Sequence, residues 1–148
     1  MKINPRYLLI ERLKKHEGFR SKAYKDITGH LTIGYGRNLD ANGISEAEGL
    51  FMLMADIDNA ITQVESKLSD VILDLSEART GVLYEMAFNM GIYNLLKFKK
   101  TLRAIKDKDY DLASIEMMDS KWAVQVGRRA VVLSNIMHTN SIESHTDI

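Results

Sequence analysis

The sequence contains no cysteine, a single proline and no long apolar run. The absence of cysteine excludes disulfide frameworks and cysteine-bound zinc or iron–sulfur centres. The histidines do not follow a metal-ligand spacing, so we expect neither a metal nor a cofactor; they are His16, His30, His138 and His145. No stretch approaches the roughly 18 apolar residues of a membrane span, and residues 1–15 lack a signal-peptide pattern. We therefore expect a cytoplasmic protein without stable membrane association.

The chain of 148 residues also lacks net charge, because 20 lysines and arginines balance 20 aspartates and glutamates. This balance speaks against a surface that binds nucleic acid as a whole. The charges are nevertheless segregated along the chain. Residues 1–40 hold nine basic and four acidic residues, 41–77 hold one and eight, and 78–109 hold seven and three. An anionic polymer could therefore be attracted to the two basic segments of a neutral protein.

Glycine is scarce outside one segment, since five of the nine glycines lie between residues 18 and 43. Within it, Leu31, Ile33 and Tyr35 alternate with small or polar residues, which predicts a strand, whereas the remaining sequence has helical periodicity. The predicted fold is α+β, with a short antiparallel sheet in a small lobe at about 18–44 and a connecting helix at about 45–68. A helical lobe at about 69–137 is expected to include an N-terminal helix at 4–17, and a polar tail follows at 138–148.

Local signals mark the ends of two helices. Asn4 and Pro5 are typical of an N-cap followed by the first helical residue, and Gly18 supplies a C-terminal stop. Ser45 and Glu48 form the S-x-x-E pattern of a capping box, which predicts where the connecting helix begins.

Three polar residues in and beside the glycine-rich segment are candidates for chemistry. Glu17 shares the apolar face of Ile10 and Leu13 and ends the first helix, where partial burial and the helix dipole favour a protonated carboxyl. Asp26 opens the turn before the strand, and Thr32 faces the side of the strand opposite its apolar residues. Each also has an ordinary structural interpretation as an exposed helix end, a turn residue or a strand residue.

Together, the three residues match the needs of glycoside hydrolysis. That reaction requires an acid for the leaving oxygen and a second carboxylate across the sugar ring. A nearby hydroxyl can hold the attacking water in line. The sequence therefore favours a glycosidase site at Glu17, Asp26 and Thr32.

The surrounding segment resembles the catalytic segment of the phage-type lysozymes, the endolysins of glycoside hydrolase family 24. The resemblance rests on residues 17–18, 23–26 and 29–36, which read EG, AYKD and GHLTIGYG. The gaps of nine and six residues between Glu17, Asp26 and Thr32 agree with the family's triad. Weaker matches at 88–91, Trp122 and 127–129 extend the resemblance over most of residues 1–137.

The resemblance implies an inverting muramidase that cleaves the β-1,4 bond between N-acetylmuramic acid and N-acetylglucosamine. Glu17 would be the general acid, while Asp26 and Thr32 would position the water, with the carboxyl groups ~6.5–9.5 Å apart. Four residues match substrate-contact positions: Asn38, Phe88, Asn89 and Thr101. Arg129 matches a supporting arginine that pairs with the catalytic glutamate in the family.

Two features of the sequence depart from the family pattern. Arg37 stands where the T-even phage member has a histidine, and the loop between Gly36 and Ser45 is shorter than in that relative.

The family also implies bacterial peptidoglycan as the partner of a monomer that does not bind nucleic acid. It would stay in the host cytoplasm until a holin-type partner allows its release to the peptidoglycan of the periplasm.

Three alternatives remain open. A lytic transglycosylase would use the glutamate alone and leave Asp26 and Thr32 without a role. An inactive peptidoglycan-binding protein would need none of the three. A nucleic-acid-binding domain would use the basic run from Lys97 to Lys108, which is otherwise a solvated helix face. The eight methionines are expected to fill a helical core.

Overall fold

The computed structural model describes residues 2–142 and divides the chain into two compact units, Met1–Phe51 and Met52–Ile148. The first unit contains α1 (Pro5–Glu17), β1 (Arg20–Lys25), β2 (Leu31–Gly34), β3 (Arg37–Asn38), α2 (Leu39–Asn42) and the start of α3 (Glu46–Lys67). The second contains the rest of α3, α4 (Ser69–Ile72), α5 (Glu77–Met90), α6 (Ile92–Leu96), α7 (Lys99–Lys106), α8 (Tyr110–Met118), α9 (Lys121–Val126) and α10 (Arg128–Thr139). The α+β prediction is confirmed.

The sheet of the first unit is antiparallel, with the strand order β1–β2–β3. Thr32 in the central strand pairs with Tyr24 in β1 and with Asn38 in β3. Its side chain is 3% exposed, and it is the one buried residue among residues 2–51. The buried side of this strand is therefore the side of the threonine, while the neighbouring Leu31 is exposed.

The predicted helix ends are confirmed. Asn4 Oδ1 accepts a hydrogen bond from Arg6 N at 2.9 Å, and Gly18 ends α1 with a φ of +68°. At the start of α3, Ser45 N donates to Glu48 Oε1 at 2.9 Å and Glu48 N donates to Ser45 Oγ at 3.1 Å. This reciprocal pair satisfies two backbone N–H groups that would otherwise lack acceptors at the helix start.

The apolar core lies in the second unit and includes residues of α3 only from Ala60 onward. Three methionines are fully buried in it, as predicted: Met86, Met117 and Met137. The prediction is wrong for Met52, Met54 and Met118, which are 47%, 56% and 41% exposed. The first two precede the part of α3 that the core covers. None of the helices described in residues 2–142 combines the length and apolar content of a transmembrane span.

The C-terminal helix extends into the predicted tail. α10 continues to Thr139, so the first residues of the predicted tail at 138–148 are helical, and residues 143–148 lie outside the described part of the chain. The first unit includes α1. The lobe boundaries predicted from the sequence stay predictions.

Candidate active site

Glu17 is the last residue of α1, and its carboxylate lies against the backbone of Gly36 in the loop after β2. A Cβ at position 36 would lie 2.6 Å from Glu17 Oε2 and 3.0 Å from Cδ. Gly36 also has a φ of +80°, so both its conformation and this contact favour glycine. The Glu17 side chain is exposed, and the expected partial burial is wrong, because α1 has no buried residue and the face it shares with Ile10 and Leu13 is itself exposed.

Asp26 directly follows β1 and accepts three hydrogen bonds on one carboxylate oxygen. Oδ1 accepts from Thr28 Oγ1 at 2.7 Å, from Thr28 N at 2.9 Å and from His30 N at 2.9 Å. The Thr28 hydroxyl, followed by the His30 backbone N–H, lowers the pKa of Asp26 below its ordinary value. The carboxylate is therefore ionised at neutral pH, as a group that accepts a proton from water must be.

Thr32 and Asp26 are hydrogen-bonded to the same acceptor, the carbonyl oxygen of His30. Asp26 N and Thr32 Oγ1 each donate to this oxygen at 2.9 Å. Since the single hydroxyl proton of Thr32 is used in this bond, its oxygen lone pairs are left to accept from another donor. The turn thus holds a carboxylate and a hydroxyl acceptor in one fixed arrangement.

Asn38 adjoins Thr32 in the sheet and also caps α2, because its Oδ1 accepts from Ala41 N at 3.0 Å. The amide nitrogen of Asn38 is the part of the side chain left for a ligand. The next residue upstream, Arg37, forms an ion pair with Glu48 and also donates from Nη1 to Gly43 O at 3.0 Å. This pair closes the short loop that precedes α3.

The remaining predicted site residues lie in the second unit. Phe88 is 40% exposed and lines a pocket of about 410 Å³, whereas Thr101 is 2% exposed at the edge of another of about 360 Å³. Asn89 Oδ1 accepts a hydrogen bond from the indole Nε1 of Trp122 at 2.8 Å. Trp122 is 6% exposed and packs edge-on against Phe98, so it is a packing residue.

Arg129 lines the same pocket as Phe88. Its Nε donates to Glu85 Oε2 at 2.8 Å, so Glu85 is its partner within the second unit. The pairing of Arg129 with Glu17 stays a prediction. Among residues 2–142, no cluster of three His, Asp or Glu side chains is arranged to hold a metal ion.

Sequence reasoning missed three residues around the candidate acid and base. Thr28 and His30 bind the Asp26 carboxylate, and Gly36 adjoins Glu17. The Asp-x-Thr spacing is a signal for the first of these, because a side chain two residues after an aspartate can return to its carboxylate in a turn. The sequence also gave no indication that Glu85 is the partner of Arg129, since the two residues are 44 positions apart.

Residues 14–136 match the family model described as phage lysozyme. The chain belongs to the phage lysozyme family. This lysozyme is 30% identical over 165 residues to the probable T4-type lysozyme 2 of Dictyostelium discoideum, covering 93% of the chain and 97% of that protein. It is 30% identical over 110 residues to the endolysin of Salmonella phage P22, covering 71% and 75%. As a phage lysozyme it is a glycoside hydrolase that acts on peptidoglycan, and the resemblance found in the sequence is confirmed.

A third relative places the same domain in a larger protein. The pre-baseplate central spike protein Gp5 of Enterobacteria phage T4 is 26% identical over 169 residues, covering 96% of the lysozyme chain but 29% of the spike protein. The lysozyme domain thus occurs both in proteins of about this length and as part of a longer chain.

Proposed function

We propose that the protein is an endolysin-type muramidase that hydrolyses the β-1,4 bond between N-acetylmuramic acid and N-acetylglucosamine with inversion. The observation that supports this most is the turn that holds Asp26 and Thr32 by one carbonyl oxygen. An ionised carboxylate beside a hydroxyl with free lone pairs can accept both protons of one water molecule. A water held by two acceptors has its own lone pair directed away from them, toward an anomeric carbon.

Glu17 supplies the acid in this mechanism. Its protonated carboxyl gives a proton to the glycosidic oxygen as the bond to the anomeric carbon breaks. Water adds to the opposite face of that carbon, and Asp26 takes the proton that the water loses. The products are an inverted hemiacetal and a new 4-hydroxyl, and proton exchange with solvent returns Glu17 and Asp26 to their starting states.

The proposed substrate contacts are supported, for Asn38, Asn89 and Phe88, by groups that the fold leaves accessible. The amide nitrogens of Asn38 and Asn89 are donors suited to the acetamido carbonyls of peptidoglycan, since the oxygen of each amide is engaged within the protein. The exposed Phe88 offers an apolar surface to a sugar ring, and Thr101 lies beside the basic residues of its pocket. For Arg129, which pairs with Glu85, the proposed supporting role rests on its match to the family's arginine.

The biological setting of this proposal is the one typical of endolysins. The enzyme acts as a monomer, stays in the host cytoplasm until release through a holin-type partner, and then cleaves peptidoglycan in the periplasm. Binding of nucleic acid is not part of this function.

Two isosteric variants test the assignment of roles. Glu17→Gln and Asp26→Asn should each abolish the clearing of permeabilised bacteria while the circular dichroism spectrum is retained. Glu11→Gln, on the same helix as Glu17, is the matched control and should clear cells at the wild-type rate. If either folded site variant clears cells as fast as the wild type, the proposed roles are wrong.

Product analysis separates hydrolysis from the transglycosylase reaction. An inverting hydrolase releases α-anomeric reducing ends, which NMR detects before mutarotation. Products that end in 1,6-anhydromuramic acid would instead mean that no water takes part, and the roles proposed for Asp26 and Thr32 would be withdrawn.

A further inference from the structure

A chain of hydrogen bonds extends from Asp26 through Thr28 to the imidazole of His30. Thr28 Oγ1 lies 2.7 Å from Asp26 Oδ1 and 2.6 Å from His30 Nδ1. The Asp26 and His30 side chains are 33% and 51% exposed, so both are partly accessible to solvent. All three residues belong to the turn between β1 and β2, which also carries the backbone bonds to Asp26.

The direction of these bonds follows from the number of protons available. A threonine hydroxyl has one proton, and the ionised Asp26 has none to give, so Thr28 donates to Asp26. The contact between Thr28 Oγ1 and His30 Nδ1 then requires the proton to be on Nδ1. His30 therefore donates to Thr28, Thr28 donates to Asp26, and the three groups form a chain with one direction.

We propose that Thr28 and His30 are positioning residues that orient the catalytic base Asp26 and set its basicity. This inference rests on the proposed function, because it takes Asp26 as the group that receives the proton of water. The described bonds to this carboxylate all end on Oδ1, which leaves Oδ2 as the oxygen that accepts from water. Without the Thr28 hydroxyl, the carboxylate would rotate more freely and Oδ1 would compete with Oδ2 for the water.

The electrostatic effect has the same origin as the geometric one. The Thr28 hydroxyl is the largest cause of the lowered pKa of Asp26, and the His30 charge acts in the same direction when the ring is protonated. Other charged groups adjoin the turn: Lys25 precedes Asp26 in the chain, and Asp40 Oδ2 accepts from Leu31 N at 2.8 Å. Lys25 and Asp40 are unchanged in a variant of Thr28. A difference in the pKa of Asp26 between that variant and the wild type therefore does not arise from them.

The test compares Thr28→Val, which removes the hydroxyl, with Thr28→Ser, which keeps it. The pKa of Asp26 is measured by NMR titration of its carboxyl carbon, a readout that does not require activity. Thr28→Val should raise this pKa because the hydroxyl that stabilises the ionised carboxylate is removed, and Thr28→Ser should return it to the wild-type value. Ile27→Val, at a fully exposed position in the same turn, is the matched control and should leave it unchanged.

The kinetic arm uses the same variants together with two at His30. In Thr28→Val, the acidic limb of the pH profile of kcat/KM should move to higher pH, and kcat should fall about tenfold at unchanged KM. His30→Asn keeps an N–H donor near the position of Nδ1 and should retain more kcat than His30→Leu.

An unchanged Asp26 pKa in folded Thr28→Val would overturn the proposal. A shifted pKa with an unmoved kinetic profile would support the coupling and would instead refute Asp26 as the base.

Discussion

The carboxylate of Glu17 and the Cα of Gly36 are so close that no side chain fits between them. A Cβ on residue 36 would lie 2.6 Å from Glu17 Oε2, well inside the normal contact distance. The glutamate is at the end of a helix, where its flexible side chain could take several rotamers. Because Gly36 has no Cβ, the carboxylate of Glu17 can lie beside the sheet.

Replacing this glycine should damage activity more than stability. In Gly36→Ala the new methyl group displaces the carboxylate, which is the movable end of a flexible side chain, so the fold survives. A displacement of about 1 Å at a reacting group can cost roughly a hundredfold in rate, and we expect a loss of that order in cell clearing.

Gly34→Ala is the control for this prediction. Gly34 has a similar φ of +68°, but a Cβ there would meet no described atom within 4 Å. Both variants share the backbone strain of a left-handed alanine, which costs about 1–2 kcal/mol. Equal losses of activity in the two variants would attribute the effect to strain and contradict the role of the Glu17 contact.

The ion pair of Arg37 and Glu48 should make stability depend on acid pH. The Arg37 guanidinium, followed by the Ser45 bonds, lowers the pKa of Glu48 from 4.5 to about 2. A carboxylate with a lowered pKa in the folded state contributes stability above its unfolded pKa and loses it as the pH falls toward the folded one. The contribution should therefore be complete above about pH 5 and absent near pH 2.

Urea unfolding at several pH values measures this dependence. Glu48→Gln retains a residue suited to the capping box but removes the charge, so it should be less stable than the wild type at pH 7 and equal to it near pH 2. Glu46→Gln, in the same first turn of α3, controls for the charge at the helix start. A difference between wild type and Glu48→Gln that stays constant over this range would rule out the ion pair as its cause.

The sequence predicted elements whose signals are local. Asn4, Gly18 and the capping box of Ser45 and Glu48 act within four residues of the helix end, and the structure has each as expected. Alternation along β2 puts Thr32 on the side of the strand opposite Leu31 and Ile33. The burial of that side was not predictable, because it depends on how the neighbouring strands and the turn cover the sheet.

The candidate site was predictable only where residue type and spacing carry the information. The bond from Thr28 to Asp26 has a local spacing signal, although it was not predicted, but the contact of Glu17 with Gly36 joins residues 19 positions apart through the path of the chain. The pairing of Arg129 with Glu85 likewise joins α10 to α5. Contacts of this kind result from tertiary packing, which no periodicity in one sequence encodes.

Arg79 should be important for the stability of the second unit. Its Nε donates to Met137 O at 2.7 Å and its Nη2 to His138 O at 3.1 Å, so it satisfies carbonyl groups at the end of α10. The guanidinium also lies 3.6 Å from the ring centroid of Tyr110. Lysine cannot reproduce this planar fork, and Arg79→Lys should lower the free energy of unfolding by about 1–3 kcal/mol.

The control for Arg79 is an arginine that makes a simple surface pair. Arg103 is 79% exposed and pairs with Asp107 one helical turn away. Arg103→Lys should change the free energy of unfolding by less than about 0.5 kcal/mol in the same urea titration. Similar values for the two variants would show that the bonds of Arg79 to α10 contribute nothing specific.

Variants of Asn89 should distinguish the structural role of its side-chain oxygen from the proposed substrate contact of its side-chain nitrogen. Its Oδ1 accepts from Trp122, whose indole is buried, while its amide nitrogen is proposed to donate to the sugar. Asn89→Asp keeps the acceptor and removes the donor, so it should keep the wild-type Tm but raise KM. Asn89→Leu leaves the indole N–H without an acceptor and should also cost about 1–3 kcal/mol in unfolding free energy. Unchanged KM in folded Asn89→Asp would remove Asn89 from the substrate contacts while leaving its bond to Trp122 intact.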